Sequence, residues 1–277
     1  MNKKICFILA LLLVSVMMIG SVSAGFFDFL GGGNTDNQFI NDENTFIVGF
    51  DAEFPPYGYM DTDGNYTGFD LDLAKEVCKR NNWTFKAQPI DWDAKDAELD
   101  SGYIDCIWNG FTMDGRENDY TWSKPYFDNK QIFVVKSNSN INSIGDLAGK
   151  TVETQKDSSA LTALKKDNKT IKDTFKALTE VADYNIAFMD LQSGTCDAIS
   201  MDIGVAEYDL KNNNDSGDDF KILNESMTTE KYGIGFKKEN TALRDKVQTT
   251  LDEMFKDGTV NKIAQKYGIS QDALIQP

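Results

Sequence analysis

Gly68-Phe-Asp-Leu-Asp-Leu-Ala-Lys-Glu-Val-Cys-Lys-Arg-Asn81 carries apolar residues four apart at Phe69, Leu73 and Val77, with Leu71, Ala74 and Cys78 beside them. That spacing gives one apolar face of a helix. Gly68 allows a sharp turn out of the preceding segment, and the acids Asp70 and Asp72 suit a helix N-terminus. Taken alone, this is an ordinary core helix. Its surroundings give it meaning: Asp51-Ala-Glu-Phe-Pro-Pro-Tyr57 precedes it and Trp108-Asn-Gly-Phe-Thr-Met-Asp-Gly-Arg116 follows.

Working outward, Thr45 to Phe50 is a short β-rich run, and a turn centred on Asp63-Gly64 leads to the helix. Thr84 to Gln88 reads as a second strand, Asp93 to Leu99 as a short helix and Tyr103 to Trp108 as a third strand. Alternation of strand and helix argues for a wound α/β lobe. The second half repeats the logic, with strands at Lys150–Thr154, Phe175–Leu178 and Asp197–Met201, and helices at Ser159–Lys166 and Asp183–Leu191. At one place the parallel is literal. Ser101-Gly-Tyr-Ile-Asp-Cys-Ile107 and Ser193-Gly-Thr-Cys-Asp-Ala-Ile199 share Ser-Gly-x-x-Asp-x-Ile, each between a helix and a strand. Two lobes of similar build follow, and helical patterns at Thr241–Phe255 and Val260–Tyr267 finish the chain.

At the other end, Lys3 and Lys4 precede an apolar run from Ile5 to Ile19, and Ser21-Val-Ser-Ala24 supplies small residues. This is the pattern of a signal peptide over residues 1–24; an uncleaved anchor is the alternative. Residues 25–44, with three consecutive Gly and many Asn and Asp, read as a linker. Its Phe26, Phe27, Phe29 and Leu30 either rest at the membrane surface or belong to the leader's tail. The whole chain has 28 Lys and Arg against 44 Asp and Glu, a net charge of −16. Removing residues 1–24 takes away two Lys and no acid, leaving 26 against 44, or −18. Such acidity disfavours nucleic acid or anionic lipid as a partner and suits an exported soluble protein. Beyond Cys6 of the leader, Cys78, Cys106 and Cys196 each sit in apolar-patterned segments and read as core residues. The chain has no His, so no transition-metal site and no cofactor is expected. Asn-x-Ser/Thr triplets begin at Asn65, Asn82, Asn168, Asn214 and Asn224, and matter only in a cell that glycosylates exported proteins.

In open α/β sheets ligands bind beyond the carboxyl ends of strands. Here those ends are Asp51–Tyr57, Trp108–Arg116, Gln155–Ser159 and Asp202. Arg116 offers a planar, two-pronged donor for a carboxylate; the alternative is a surface Arg paired with Glu117 or Asp119. Asp202 ends an apolar-leaning strand and can face an ammonium, or else cap the segment Gly204–Leu210.

The three segments around the opening helix resemble the polar amino-acid-binding proteins of ABC importers, extracellular solute-binding protein family 3, and the resemblance covers nearly all of the chain after the leader. It implies an α/β, two-lobed periplasmic-binding-protein-like (type II) fold, with Gln131–Lys136 and Tyr232–Phe236 as two crossing strands acting as a hinge. Lobe 1 would comprise residues 45–135 plus 235–277, and lobe 2 residues 136–234. Residue by residue, Arg116 and Thr112 match the family's contacts to the ligand α-carboxylate, although members commonly place the Arg one residue further from the Thr. Gly110 and Phe111 belong to the same segment, with the Gly110 backbone as a close donor or acceptor. Ser158 and Ser159 match a carboxylate-holding loop at a helix N-terminus, in which members usually have Gly where Asp157 stands. Asp202 matches the residue facing the α-ammonium. Phe54 and Trp92 match two aromatic walls, or fill core. Asp51 matches a position receiving a basic or amide side-chain end, or shapes the turn before Pro55-Pro56.

The function implied is a monomeric, exported, non-enzymatic protein at the outer face of the cytoplasmic membrane, periplasmic or extracellular. It would capture a polar L-amino acid between two lobes and deliver it to an ABC transporter permease. Two rivals remain from the sequence: a small-acid dehydratase-like enzyme on the same scaffold, with Asp51 and Glu53 as acid and base, and a ligand-sensing ectodomain signalling through a separate membrane partner.

Overall fold

A computed structural model describes residues 44–212 and 220–276. The expected leader (1–24), all of the expected linker except Asn44, and the Asn214 triplet lie outside the described residues.

The first lobe opens with β1 (Thr45–Phe50). Three short strands, β2 (Glu53–Phe54), β3 (Gly58–Met60) and β4 (Tyr66–Thr67), form a small antiparallel sheet of their own. They lead into α1 (Phe69–Asn81), then β5 (Thr84–Pro89), α2 (Lys95–Ser101), β6 (Cys106–Ile107) and β7 (Thr121–Trp122). β1 lies between β5 and β6 and runs parallel to both. α1 begins where the periodicity places it, because Gly68 stands at φ 138° and a Cβ there would lie 2.2 Å from the Tyr57 carbonyl oxygen. Phe69, Leu73 and Val77 are fully buried, each stabilising the lobe by about 1.5–3 kcal/mol. Asp70 is just as buried, which the apolar pattern did not indicate.

The second lobe runs through β8 (Phe127–Lys136), β9 (Thr151–Gln155), α3 (Ser159–Lys165), α4 (Lys169–Lys172), β10 (Ala177–Val181), α5 (Tyr184–Ser193), β11 (Ala198–Asp202), α6 (Ile203–Asn212), β12 (Phe220–Ile222) and β13 (Thr228–Tyr232). Its strand order is β10-β9-β11-β8-β12, with β13 also on β8. The chain returns to the first sheet as β14 (Gly235–Phe236), between β6 and β7. α7 (Thr241–Lys256) and α8 (Thr259–Lys266) then pack on α1. Both sheets with their helices make the type II arrangement expected from the resemblance.

The repeated Ser-Gly-x-x-Asp-x-Ile motif does the same work twice. Gly102 and Gly194 end α2 and α5 in the left-handed conformation, at φ 78° and 85°. Three residues on, Asp105 accepts a hydrogen bond from the Ile47 N–H at 2.7 Å, and Asp197 accepts one from the Thr151 N–H at 2.8 Å. Each Asp thereby anchors the first residues of its neighbouring parallel strand, β1 or β9. Cys78, Cys106 and Cys196 are free and buried, as their patterning predicts.

Three readings differ from the structure. The strand expected over Tyr103–Trp108 shrinks to Cys106–Ile107, because the Gly102 cap and the Asp105 anchor hold the preceding residues in a turn. The strand expected at Phe175–Leu178 lies at Ala177–Val181, in register with β9. Gln131–Lys136 does not cross between the sheets: β8 pairs in the second sheet from Phe127 onward, although the sequence reading put its residues up to 135 in lobe 1. Its apolar run Ile132–Val135 is the buried middle of a central strand. The first passage between sheets is therefore Ser123–Tyr126, joining β7 to β8, and the second is Gly233–Ile234, joining β13 to β14.

Candidate functional site

The carboxyl ends of β1, β5, β6, β9 and β11 converge on one crevice. Asp51, Phe54, Trp92, Gly110, Thr112 and Arg116 line it from the first lobe, and Ser158, Ser159 and Asp202 from the second. Asn109 and Gln155, which the sequence reading did not single out, line it too. Phe111 does not. It is fully buried behind the wall, packs against Trp92, Tyr120 and Trp122, and carries the Arg116 guanidinium 5.2 Å above its ring. Its apolar neighbours claim it for the core.

Arg116 also donates to the Thr112 carbonyl at 3.3 Å and, across the crevice, to the Asp157 carbonyl at 3.0 Å. The Gly110 N–H is held at 2.5 Å by the buried Asp70 carboxylate, so of its two backbone groups only the carbonyl is left for a ligand. Phe54 is buried, with its ring 6.1 Å from Tyr184 of the other lobe, and Trp92 is half-buried, edge-on to Phe111. Ser158 caps α3 by accepting from the Leu161 N–H at 3.1 Å, which satisfies one of the helix's free donors.

Asp51 accepts hydrogen bonds from the Glu53 N–H at 2.9 Å and, from the opposite lobe, the Gln155 amide at 2.6 Å. Burial outweighs both, and its carboxyl is pushed up to about 6. Asp202 is 3 % exposed at the end of β11. It accepts from the Asn129 amide and the Tyr232 hydroxyl, each at 2.6 Å. Burial, and then the charge of Glu230, hold its carboxyl well above the usual range.

Glu230 is the main residue missed. β8 and β13 pair so that Asn129 stands opposite Glu230, and both strands alternate buried with exposed positions: Phe127, Asn129 and Gln131 inward, Asp128 and Lys130 outward, Glu230 and Tyr232 inward, Thr229 and Lys231 outward. One oxygen of Glu230 accepts from Thr112 at 2.8 Å, Gln131 at 2.8 Å, Asn129 at 2.9 Å and Ser159 at 3.3 Å. Neither Phe127–Gln131 nor Thr228–Tyr232 alternates apolar with polar residues in sequence, so the strand pairing that buries Glu230 left no period-two signal to find. Among the described residues the crevice and its floor hold Asp51, Asp202 and Glu230 against Arg116, an excess of acid that suits a cationic guest.

Residues 46–270 match the model of the bacterial extracellular solute-binding proteins, family 3. A probable histidine-binding protein of Neisseria gonorrhoeae is 30% identical over 235 residues, covering 82% of this chain and 84% of the relative. Among solved structures, a substrate-binding protein of an ABC uptake transporter from Streptococcus pneumoniae, with bound histidine, is similar at a TM-score of 0.77 and 34% identity, over 81% of this chain and 92% of that one. An ancestral arginine-binding protein bound to arginine is similar at 0.75 and 38%, over 81% and 98%.

Proposed function

The chain belongs to the bacterial extracellular solute-binding proteins, family 3, and on that premise we propose that it captures a polar L-amino acid in the crevice and hands it to an ABC transporter permease. Its family consists of solute-binding proteins rather than enzymes, and no helix among the described residues is long and apolar enough to cross a membrane. With residues 1–24 as signal peptide, the protein works as an exported monomer at the outer face of the cytoplasmic membrane.

The observation that carries this reading is the placement of Arg116 and Asp202, from different lobes, on one crevice. The guanidinium takes the ligand α-carboxylate as a two-pronged donor, beside the Ser158 and Ser159 segment. Asp202 takes the α-ammonium. Thr112 and Ser159 keep their hydroxyl protons on Glu230, so their oxygens offer lone pairs, which suit an ammonium better than a carboxylate. The side chain lies by Phe54 and Trp92 and ends near Asp51. The excess of buried acid, together with the histidine and arginine named for similar proteins, puts basic amino acids ahead of neutral ones. A ligand that spans both lobes favours the closed form, which is the state the permease would read.

A thermal-shift screen against the common L-amino acids tests this. A ligand present at 100 times its Kd stabilises the fold by about 2.7 kcal/mol, enough to raise the melting temperature by several degrees. Arginine, lysine or histidine should give the largest rise, and calorimetry of Arg116→Ala should show affinity at least about tenfold weaker. A screen in which no amino acid raises the melting temperature removes the reading.

A further inference from the structure

Asp157 belongs to the second lobe and stands at φ 53°, in the left-handed region that favours glycine, although Asp and Asn tolerate it better than most residues. From there it reaches the first lobe with both of its polar ends. Its carboxylate pairs with the Lys95 ammonium, and its carbonyl receives the Arg116 guanidinium at 3.0 Å. Lys95 is only 1 % exposed; its ammonium lies 5.2 Å from the centre of the Trp92 ring and donates weakly to the Trp92 carbonyl at 3.4 Å. Trp92 and Arg116 both line the crevice.

We propose that Asp157 is a latch across the crevice mouth, a positioning residue that holds the two lobes together and sets the orientation of Arg116. The argument is one of charge. A buried ammonium is tolerated only with a counter-charge, so closing the lobes over Lys95 requires an acid from the opposing side. Asp157 brings that acid, and the same residue fixes Arg116 through its backbone. Opening the crevice would part the Lys95 ammonium from the Asp157 carboxylate and free the guanidinium, so the latch opposes opening before any ligand enters and slows release afterwards. The effect on release rests on the crevice being the ligand site; the effect on the empty protein does not.

Nitroxides at Ala97→Cys and Asp167→Cys, exposed positions on the first and second lobes, report the separation across the mouth by pulsed electron resonance. Asp157→Asn keeps a side chain that tolerates the left-handed conformation and removes the charge. In ligand-free protein its short-distance population should fall at least about threefold relative to Asp157. Distributions that coincide would overturn the latch, whether or not any amino acid binds. In protein loaded with arginine, Asp157→Asn should release ligand at least about tenfold faster, Lys95→Met should do the same, and the pair combined should add nothing further. Release rates that multiply in the double variant would show two independent residues and also overturn it. A wild type that binds no amino acid would defeat the functional reading alone, because the distance measurement still decides the latch.

Discussion

Asp70 and Asp202 are both aspartates buried in the fold, both hydrogen-bonded by neutral groups, and both raised in pKa chiefly by burial. Asp70, pushed up to about 7, accepts from the Gly110 N–H at 2.5 Å and the Tyr126 hydroxyl at 2.9 Å, within the interior of the first lobe. Asp202 accepts from Asn129 and Tyr232 at nearly the same distances, yet it stands at a strand end and lines the crevice. The same chemistry therefore serves two ends. Asp70 ties α1 to the Gly110 segment and so shapes one wall, whereas Asp202 is available to a guest. On the proposed reading, access to the crevice, and not the size of the pKa shift, separates a structural carboxylate from a binding one.

The sharpest way to break that comparison is to neutralise each acid in turn. Asp70→Asn cannot accept from both donors without turning its own amide toward one of them. A buried group left unsatisfied should cost about 1–3 kcal/mol of stability, read as a lower melting temperature, with ligand affinity little changed. Asp202→Asn should do the reverse. Affinity should fall at least about tenfold, or 1.4 kcal/mol, while the melting temperature of the ligand-free protein holds, because Asn129 and Tyr232 both donate to one oxygen of Asp202, which an amide keeps. If Asp70→Asn weakens binding as much as Asp202→Asn, the distinction between the two sites fails.

Acidity sharpens it further. A bound ammonium favours ionised Asp202, and a cationic side chain favours ionised Asp51, whose carboxyl otherwise sits at about 6. Binding must then release protons, and affinity should strengthen from pH 5 to pH 8 by up to about 1.4 kcal/mol per pH unit per proton. The slope should flatten in Asp202→Asn and persist in Asp70→Asn, as calorimetry in buffers of different ionisation enthalpy would show. Stability runs the other way. Asp51 and Asp70 hold their protons more tightly folded than unfolded, so the folded state binds more protons between the unfolded value, 3.8, and about 7. Their contribution to stability is complete below that window and is lost as pH rises through it.

The division between legible and hidden features follows the same lines. α1 was readable because apolar residues at helical spacing have one way to be buried together, and the Ser-Gly-x-x-Asp-x-Ile repeat was readable because both lobes need the same helix stop and strand anchor. Asp51, Arg116 and Asp202 could be placed because strand ends converge in open α/β sheets, so their position followed from the strand pattern. Phe111 could not be separated from Phe54, since two aromatic residues near strand ends look alike until neighbours show which one the core takes. Glu230 and Asn129 were hidden because a polar residue buried by pairing with another polar residue leaves no apolar mark. Gln131 was seen only as part of a crossing strand. Lys95 stands in a polar helical segment whose pattern does not mark it for burial, yet it is only 1 % exposed.

The account rests on a zwitterion held by a cation from one lobe and an anion from the other. The most direct test is a crystal structure of the full chain with the amino acid that raises its melting temperature most. The ligand α-carboxylate should lie about 3 Å from the Arg116 guanidinium and the α-ammonium about 3 Å from the Asp202 carboxylate, at ordinary hydrogen-bond distance. A ligand seated elsewhere, or one whose charged ends meet neither residue, would contradict it.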